Sequence, residues 1–200
     1  MASSVGLWTG SIIQDILNAV AKLGCHEPHA ADEQQPYYPR VFLVATPLGP
    51  RLPKMQAYHT SVMLDNLEHS FGPYGFMLAH GPQSHRMYPR NRETRIIDMG
   101  YSKVDARNWS QTVRPYFEQN SYDLLRKNCN SFSDVALKDL TGQRLDKRYR
   151  EIEQYARTAD KYSHVVRALT GGSYKPNPTA DGFAPLKVVA DLDSQRRLFR

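Results

Sequence analysis

Cysteine is almost missing from this chain. Two occur among 200 residues, Cys25 and Cys129, in unlike surroundings. Two cysteines cannot build the disulfide scaffold of a small secreted domain, so a reducing compartment is expected, cytoplasm or nucleus. Long apolar runs are missing too: no stretch reaches the roughly 18 apolar residues of a membrane span. The first residues lack a basic stretch followed by an apolar one, so no secretory leader is expected. Nowhere do histidine, cysteine and carboxylates fall at structural-zinc spacing. Cys25-His26 with His29 is too sparse, and neither metal nor cofactor is expected. The net charge of +6 is scattered, apart from Arg144 to Arg150 and the arginines at 196, 197 and 200. No RNA- or DNA-binding motif accompanies it, so nucleic acid is not an expected partner.

What remains is globular and somewhat loop-rich: 40% hydrophobic, 23% charged, with 12 glycines and 13 prolines. A chain of this length buries roughly 70% of its unfolded surface in one core. Val5, Trp8, Ile12, Ile16, Val20 and Leu23 recur at helical spacing and Gly24 suits a stop, so residues 5–23 read as an amphipathic helix. With the Pro- and His-rich linker to residue 39 it forms an N-terminal unit, 1–39. That helix either docks on the domain or makes a partner or membrane-surface contact. Its only charges, Asp15 and Lys22, make electrostatic attraction to lipid small. Residues 40–146 form the expected domain. Strands are predicted at 40–45, 57–64, 67–71, 76–78 and 95–99, with a loop over the prolines of 46–53. Helices are predicted at 105–117 and 128–140. A further helix is expected over 147–170 and a flexible tail over 171–200.

Two residues carry the chemistry. His59 heads the β-branched run Thr60-Ser61-Val62-Met63-Leu64, and Cys129 opens a helix behind Asn128. A thiol attacks as thiolate. A helix N-terminus and a neighbouring imidazole both favour that anion. Asn128 is a good cap, and Lys127, Asn128, Asn130 and Ser131 make the spot polar, unlike the setting of a buried structural cysteine. His26, His29, His69, His80, His85 and His164 compete with His59 as the base, and spacing does not choose among them.

Tyr58-His59-Thr60-Ser61-Val62, Glu68-His69-Ser70-Phe71-Gly72 with Gly75, Asn128-Cys129-Asn130-Ser131-Phe132-Ser133 and Leu140-Thr141-Gly142 together resemble the PPPDE domain. This is the desumoylating-isopeptidase type of permuted papain-fold cysteine peptidase. The resemblance implies an α+β fold, a small antiparallel sheet or barrel packed against the helix that bears the nucleophile. It also implies a Cys129–His59 dyad that cleaves peptide or isopeptide bonds of SUMO or ubiquitin conjugates through an acyl-enzyme. The Cys129 N–H would help hold the oxyanion, with Asn128 and Gln56 as candidates for a second donor. The third, orienting residue has no assignment; Asp65 and Asp134 are acids to consider, Asp134 reading as a solvated helix residue. The family usually has Ile-Pro where this chain has Arg144-Leu145-Asp146, and often tryptophan at Tyr58. Two other readings stand beside it. One is an S-acyl thioesterase or lecithin:retinol-acyltransferase-like enzyme, in which His69 would be a second histidine. The other is a non-catalytic binding module.

Overall fold

The computed structural model describes residues 35–52, 55–151 and 174–198. All of these but Gln35 lie in one compact unit, Pro36–Arg200. The expected helix over 5–23, Cys25 with its linker histidines, His164 and most of the expected helix after residue 147 fall outside the described residues.

Five strands, β1 (Arg40–Leu52), β2 (Met55–Leu64), β3 (Leu67–Gly72), β4 (Gly75–His80) and β5 (Arg95–Tyr101), make one antiparallel sheet in the order β4-β3-β2-β1-β5. Among the described residues three α-helices accompany it: α1 (Trp109–Val113), α2 (Cys129–Thr141) and α3 (Pro185–Leu198). The fold class is α+β. β1 runs through Pro47, where a loop was expected. The reason lies in its neighbours, because β5 pairs only with Arg40–Ala45. Beyond Ala45 β1 is an edge strand on that side, where a residue without an N–H costs no ladder bond. The predicted helix 105–117 shortens to α1 and a 3₁₀ turn over Arg114–Phe117, as Pro115 requires.

The core lies between the sheet and α2. Val41, Leu43, Val62 and Leu64 meet Phe132, Val135, Ala136 and Leu140, all essentially inaccessible. Phe132 stands at the centre of a ring cluster, 5.0 Å edge-to-face from Phe117 and 5.8 Å from Phe76. Two glycines of the family motifs have steric reasons. Gly75 has φ +90°, and a Cβ there would come within 2.7 Å of the Gln119 main-chain nitrogen. Gly142 ends α2 at φ +77°, its N–H donating to the Lys138 carbonyl at 3.0 Å.

The expected flexible tail is a correction. Tyr174 donates to Asp123, as does the Asn177 N–H at 2.8 Å, and α3 buries Val188, Val189 and Leu192. Arg196 on α3 grips Asp139 on α2 with both guanidinium nitrogens, at 3.0 and 2.5 Å. The Gly/Pro/Asn-rich stretch misled because those residues serve caps and turns here: Asn177 caps the 3₁₀ turn Pro178–Ala180. The spacing of Val188, Val189 and Leu192 was the helix signal.

Candidate active site

β2 pairs with β3 only at Val62↔His69, Met63↔Glu68 and Leu64↔Leu67. Before Val62 the two strands part, and His59 stands in the opening. The N-terminus of α2 is fastened at the same place. Asn128 has extended dihedrals, φ −128° and ψ −169°, and its Oδ1 accepts from the Ser131 N–H at 3.0 Å. This is an N-cap, worth about 1 kcal/mol. Cys129 is therefore the first residue of the helix, where main-chain N–H groups and the helix dipole favour an anion. Asn130 docks the helix end on β2. Its Nδ2 donates to the Tyr58 carbonyl at 3.1 Å, and its Oδ1 accepts from the Thr60 hydroxyl at 2.7 Å. The residue after Cys129 thus holds the residues before and after His59. Ser133 and Phe132 complete the docking, at 2.8 Å from the Thr60 hydroxyl and in the ring cluster.

The turn-rich segment after β4 closes over His59. The His59 ring lies 4.9 Å from that of Tyr88 and 4.6 Å from that of His85. Its Nε2 is 2.8 Å from the Ser84 hydroxyl, which is itself 2.6 Å from Glu68 Oε1. A hydroxyl has one proton, and a carboxylate can only accept. Ser84 therefore donates to Glu68 and accepts from His59 Nε2–H. This sets the tautomer: Nδ1 carries the lone pair. Glu68 is fully buried and also accepts from the Ser84 N–H at 2.9 Å and the Ser61 hydroxyl at 2.7 Å. His85 approaches the same carboxylate at 3.5 Å.

Burial, and secondarily the neighbouring His85, push the His59 imidazole down to about 3, while Glu68 acts in the opposite sense. The resting ring is thus neutral, a base with its lone pair available. Tyr88 is pushed up to about 12 by burial and by the charge of Cys129, so its phenol stays protonated. Among the described residues that hydroxyl has no hydrogen-bond partner. Tyr88 thus stands against His59 and feels the charge of Cys129.

The other sequence candidates fall elsewhere. Asn128 Nδ2 donates to the Leu124 carbonyl at 2.8 Å, and Gln56 Nε2 to the Leu48 and Ala57 carbonyls. Gln56 thus spends both amide hydrogens on main-chain carbonyls, and Asn128 one of its two. Asp65 sits at the β2–β3 turn, bound by the Tyr37 hydroxyl and the Arg40 N–H. Asp134 is not solvated but fully buried, paired with Arg144 at 2.6 Å and Arg150 at 2.9 Å. Arg144, in the segment where the family usually has Ile-Pro, is thus an ion-pair partner of α2. His69 lies in the core beside Trp109 and Phe76, its Nδ1 donating to the Leu67 carbonyl at 3.0 Å and its Nε2 meeting Ser110 at 2.8 Å. It cannot be a second active-site histidine. The sequence reading gave no role to Glu68, Ser84 or Tyr88 and named His85 only as a rival base. Only Glu68, alternating with the core residue His69 on a predicted strand, carried a signal: a carboxylate on one strand face beside a buried neighbour.

Between the parted strands lies a mostly apolar cavity of about 620 Å³ bordered by His59, Phe71, Met77, Leu78, Met87 and Tyr88. Among the described residues no group of His, Cys, Asp or Glu could hold a metal ion, and no helix is long and apolar enough to cross a membrane.

Residues 38–170 match the family model described as PPPDE putative peptidase domain. Comparison with curated proteins gives no match.

Proposed function

Because the chain belongs to the PPPDE peptidase-domain family, we propose that it is a thiol peptidase whose nucleophile is Cys129 and whose base is His59. The bond it cuts is a peptide or isopeptide bond of a ubiquitin-like conjugate. The observation that carries this reading is Asn130 bridging both main-chain neighbours of His59 from the position after Cys129.

As the sulfur attacks the carbonyl carbon, its proton passes to His59 Nδ1. The imidazolium that forms keeps Nε2–H on Ser84, with the Glu68 charge behind it. The main-chain N–H groups at the start of α2 and the Tyr88 phenol receive the oxyanion. His59 Nδ1–H then protonates the leaving amine, releasing it and leaving an acyl-Cys129 thioester. Water, deprotonated by His59, hydrolyses that thioester and restores the thiol. A neutral resting histidine means that Cys129 loses its proton as it attacks, by general-base catalysis.

The apolar cavity beside His59 supports a second reading, hydrolysis of an S-acyl thioester whose chain lies among Met77, Leu78 and Met87. The same dyad performs it, with a thiol leaving in place of the amine.

The test is turnover of a SUMO or ubiquitin isopeptide conjugate and of an S-acyl peptide by wild type, Cys129→Ala, His59→Ala and Tyr88→Phe. Cys129→Ala should abolish turnover. His59→Ala should lower kcat by roughly 10²- to 10⁴-fold, and Tyr88→Phe by about 10²-fold. Iodoacetamide should label Cys129 more slowly once His59 is gone. A wild type inert on both substrates, with a thiol indifferent to His59, would sink both readings in favour of a binding module.

A further inference from the structure

Gln56 and Tyr58 alternate with His59 along β2, so they face the other side of the strand. On that side lies a second cavity, of about 670 Å³, into which Arg90, Arg92, Arg95 and Arg148 also open. Its one lining acid among the described residues, Glu93, is held by Arg90 through Nε at 2.8 Å and Nη2 at 2.9 Å. Arg90 is further anchored to the Gln56 Oε1 at 3.0 Å and the Gly49 carbonyl at 3.1 Å. Arg148 pairs with Asp146. Arg92 and Arg95, both exposed, have no ion-pair partner among the described residues. Among the described residues the cavity therefore sets four guanidiniums against one carboxylate, two of them without an ion-pair partner. One wall is aromatic: the Tyr58 and Tyr149 rings meet edge-on at 4.9 Å.

Guanidinium groups bind carboxylates by paired, charge-assisted hydrogen bonds, and two of them near one apolar wall favour an anionic ligand of more than one charge. The volume exceeds what one small ion fills. The position favours a peptide: Tyr58 adjoins His59 in sequence, and its carbonyl is held by the neighbour of Cys129. A chain lying across the dyad reaches this hollow within a few residues.

We propose that the arginine-lined cavity receives acidic side chains of the protein substrate, a few residues from the bond that is cut. This rests on the peptidase reading for its orientation to the scissile bond, but not for the binding itself.

The experiment uses the full chain carrying Cys129→Ser and two fluorescent peptides, one of six glutamates and one of six glutamines. The glutamate peptide should bind more tightly, and the advantage should shrink as salt rises. Arg92→Glu with Arg95→Glu should weaken it about tenfold and turn the preference toward a lysine peptide. The control is Lys187→Glu with Arg197→Glu on α3, the same change of net charge at exposed positions away from the cavity; it should cost little. Equal binding of the two peptides, or equal losses in the two double variants, would overturn the proposal. With active enzyme, the kcat/KM ratio of acidic over neutral peptide substrates should fall in the Arg92/Arg95 variant. Cleavage indifferent to both charge changes sinks the acidic subsite and leaves the peptidase reading intact. Charge-selective binding without cleavage of any peptide does the reverse.

Discussion

Glu68 and Asp139 are both buried carboxylates, and they are held by opposite means. Asp139 faces Arg196, which grips it with two nitrogens, and the Trp109 indole N–H at 2.8 Å. Asp134, five residues earlier on the same helix, has two arginines. Those charges are cancelled where they stand, and each pair ties α2 to another segment. Among the described residues Glu68 has no arginine or lysine partner. Its partners are two serine hydroxyls, one N–H and the edge of His85. Hydroxyls orient a charge without neutralising it, so the field of Glu68 remains directed through Ser84 at His59. A buried pair with a fixed cation serves architecture. A buried carboxylate held only by neutral donors is placed to stabilise a cation that forms elsewhere.

Exchanging each acid for its amide separates the two roles. Glu68→Gln should lower kcat by roughly 10²-fold with KM little changed, because the imidazolium loses its counter-charge only in the transition state. Asp139→Asn should leave kcat near wild type and lower stability by about 2 kcal/mol, since Arg196 and Trp109 lose a charged acceptor. Steady-state kinetics and urea unfolding of both variants read this directly. Two variants alike in both measurements would erase the distinction. Ser84→Ala should be milder, about tenfold in kcat, because it removes the Nε2 acceptor and the tautomer preference yet leaves Glu68 in place. A Ser84→Ala loss as large as that of Glu68→Gln would mean that the hydroxyl, not the charge, is what His59 needs.

The same contrast explains how much could be read from the sequence. The motif Asn-Cys-Asn-x-Phe-Ser was legible because every residue in it acts locally or against the adjacent strand: a cap, the proposed nucleophile, a clamp on β2 and a core ring. The hairpins were legible from alternation and from Asp65-Asn66. Glu68, Ser84 and Tyr88 were not, since their meaning depends on a 3₁₀ turn folding back over His59 from residues 81–90. Nothing in a polar, proline-rich loop announces which of its serines or tyrosines will face inward. Asp134 looked like a solvated helix residue because its partners Arg144 and Arg150 lie 10 and 16 residues away, and the partner of Asp139, Arg196, lies 57 away. The last of these sits on α3, in a stretch whose composition resembled a tail. The arginine cavity is also a tertiary product. Arg90, Arg92 and Arg95 are near one another in sequence, but only the fold adds Arg148.

The smallest expected effect concerns the histidines on either face of the sheet. Burial pushes His59 down to about 3 and His69 and His85 down to about 4, from an ordinary 6.5. The native state refuses protons that the unfolded chain accepts once the pH falls below 6.5. Stability should therefore be greatest above that value and decline toward pH 4, by up to about 1.4 kcal/mol per pH unit for each histidine. His69→Gln should flatten this slope by one histidine's share while leaving kcat near wild type, because that ring only fills the core beside Trp109. His59→Gln should flatten it equally and remove activity as well. Urea unfolding at pH 7, 6 and 5 measures the slopes. A wild-type stability unchanged across that range would mean that these rings take up protons in the native state as readily as in the unfolded chain.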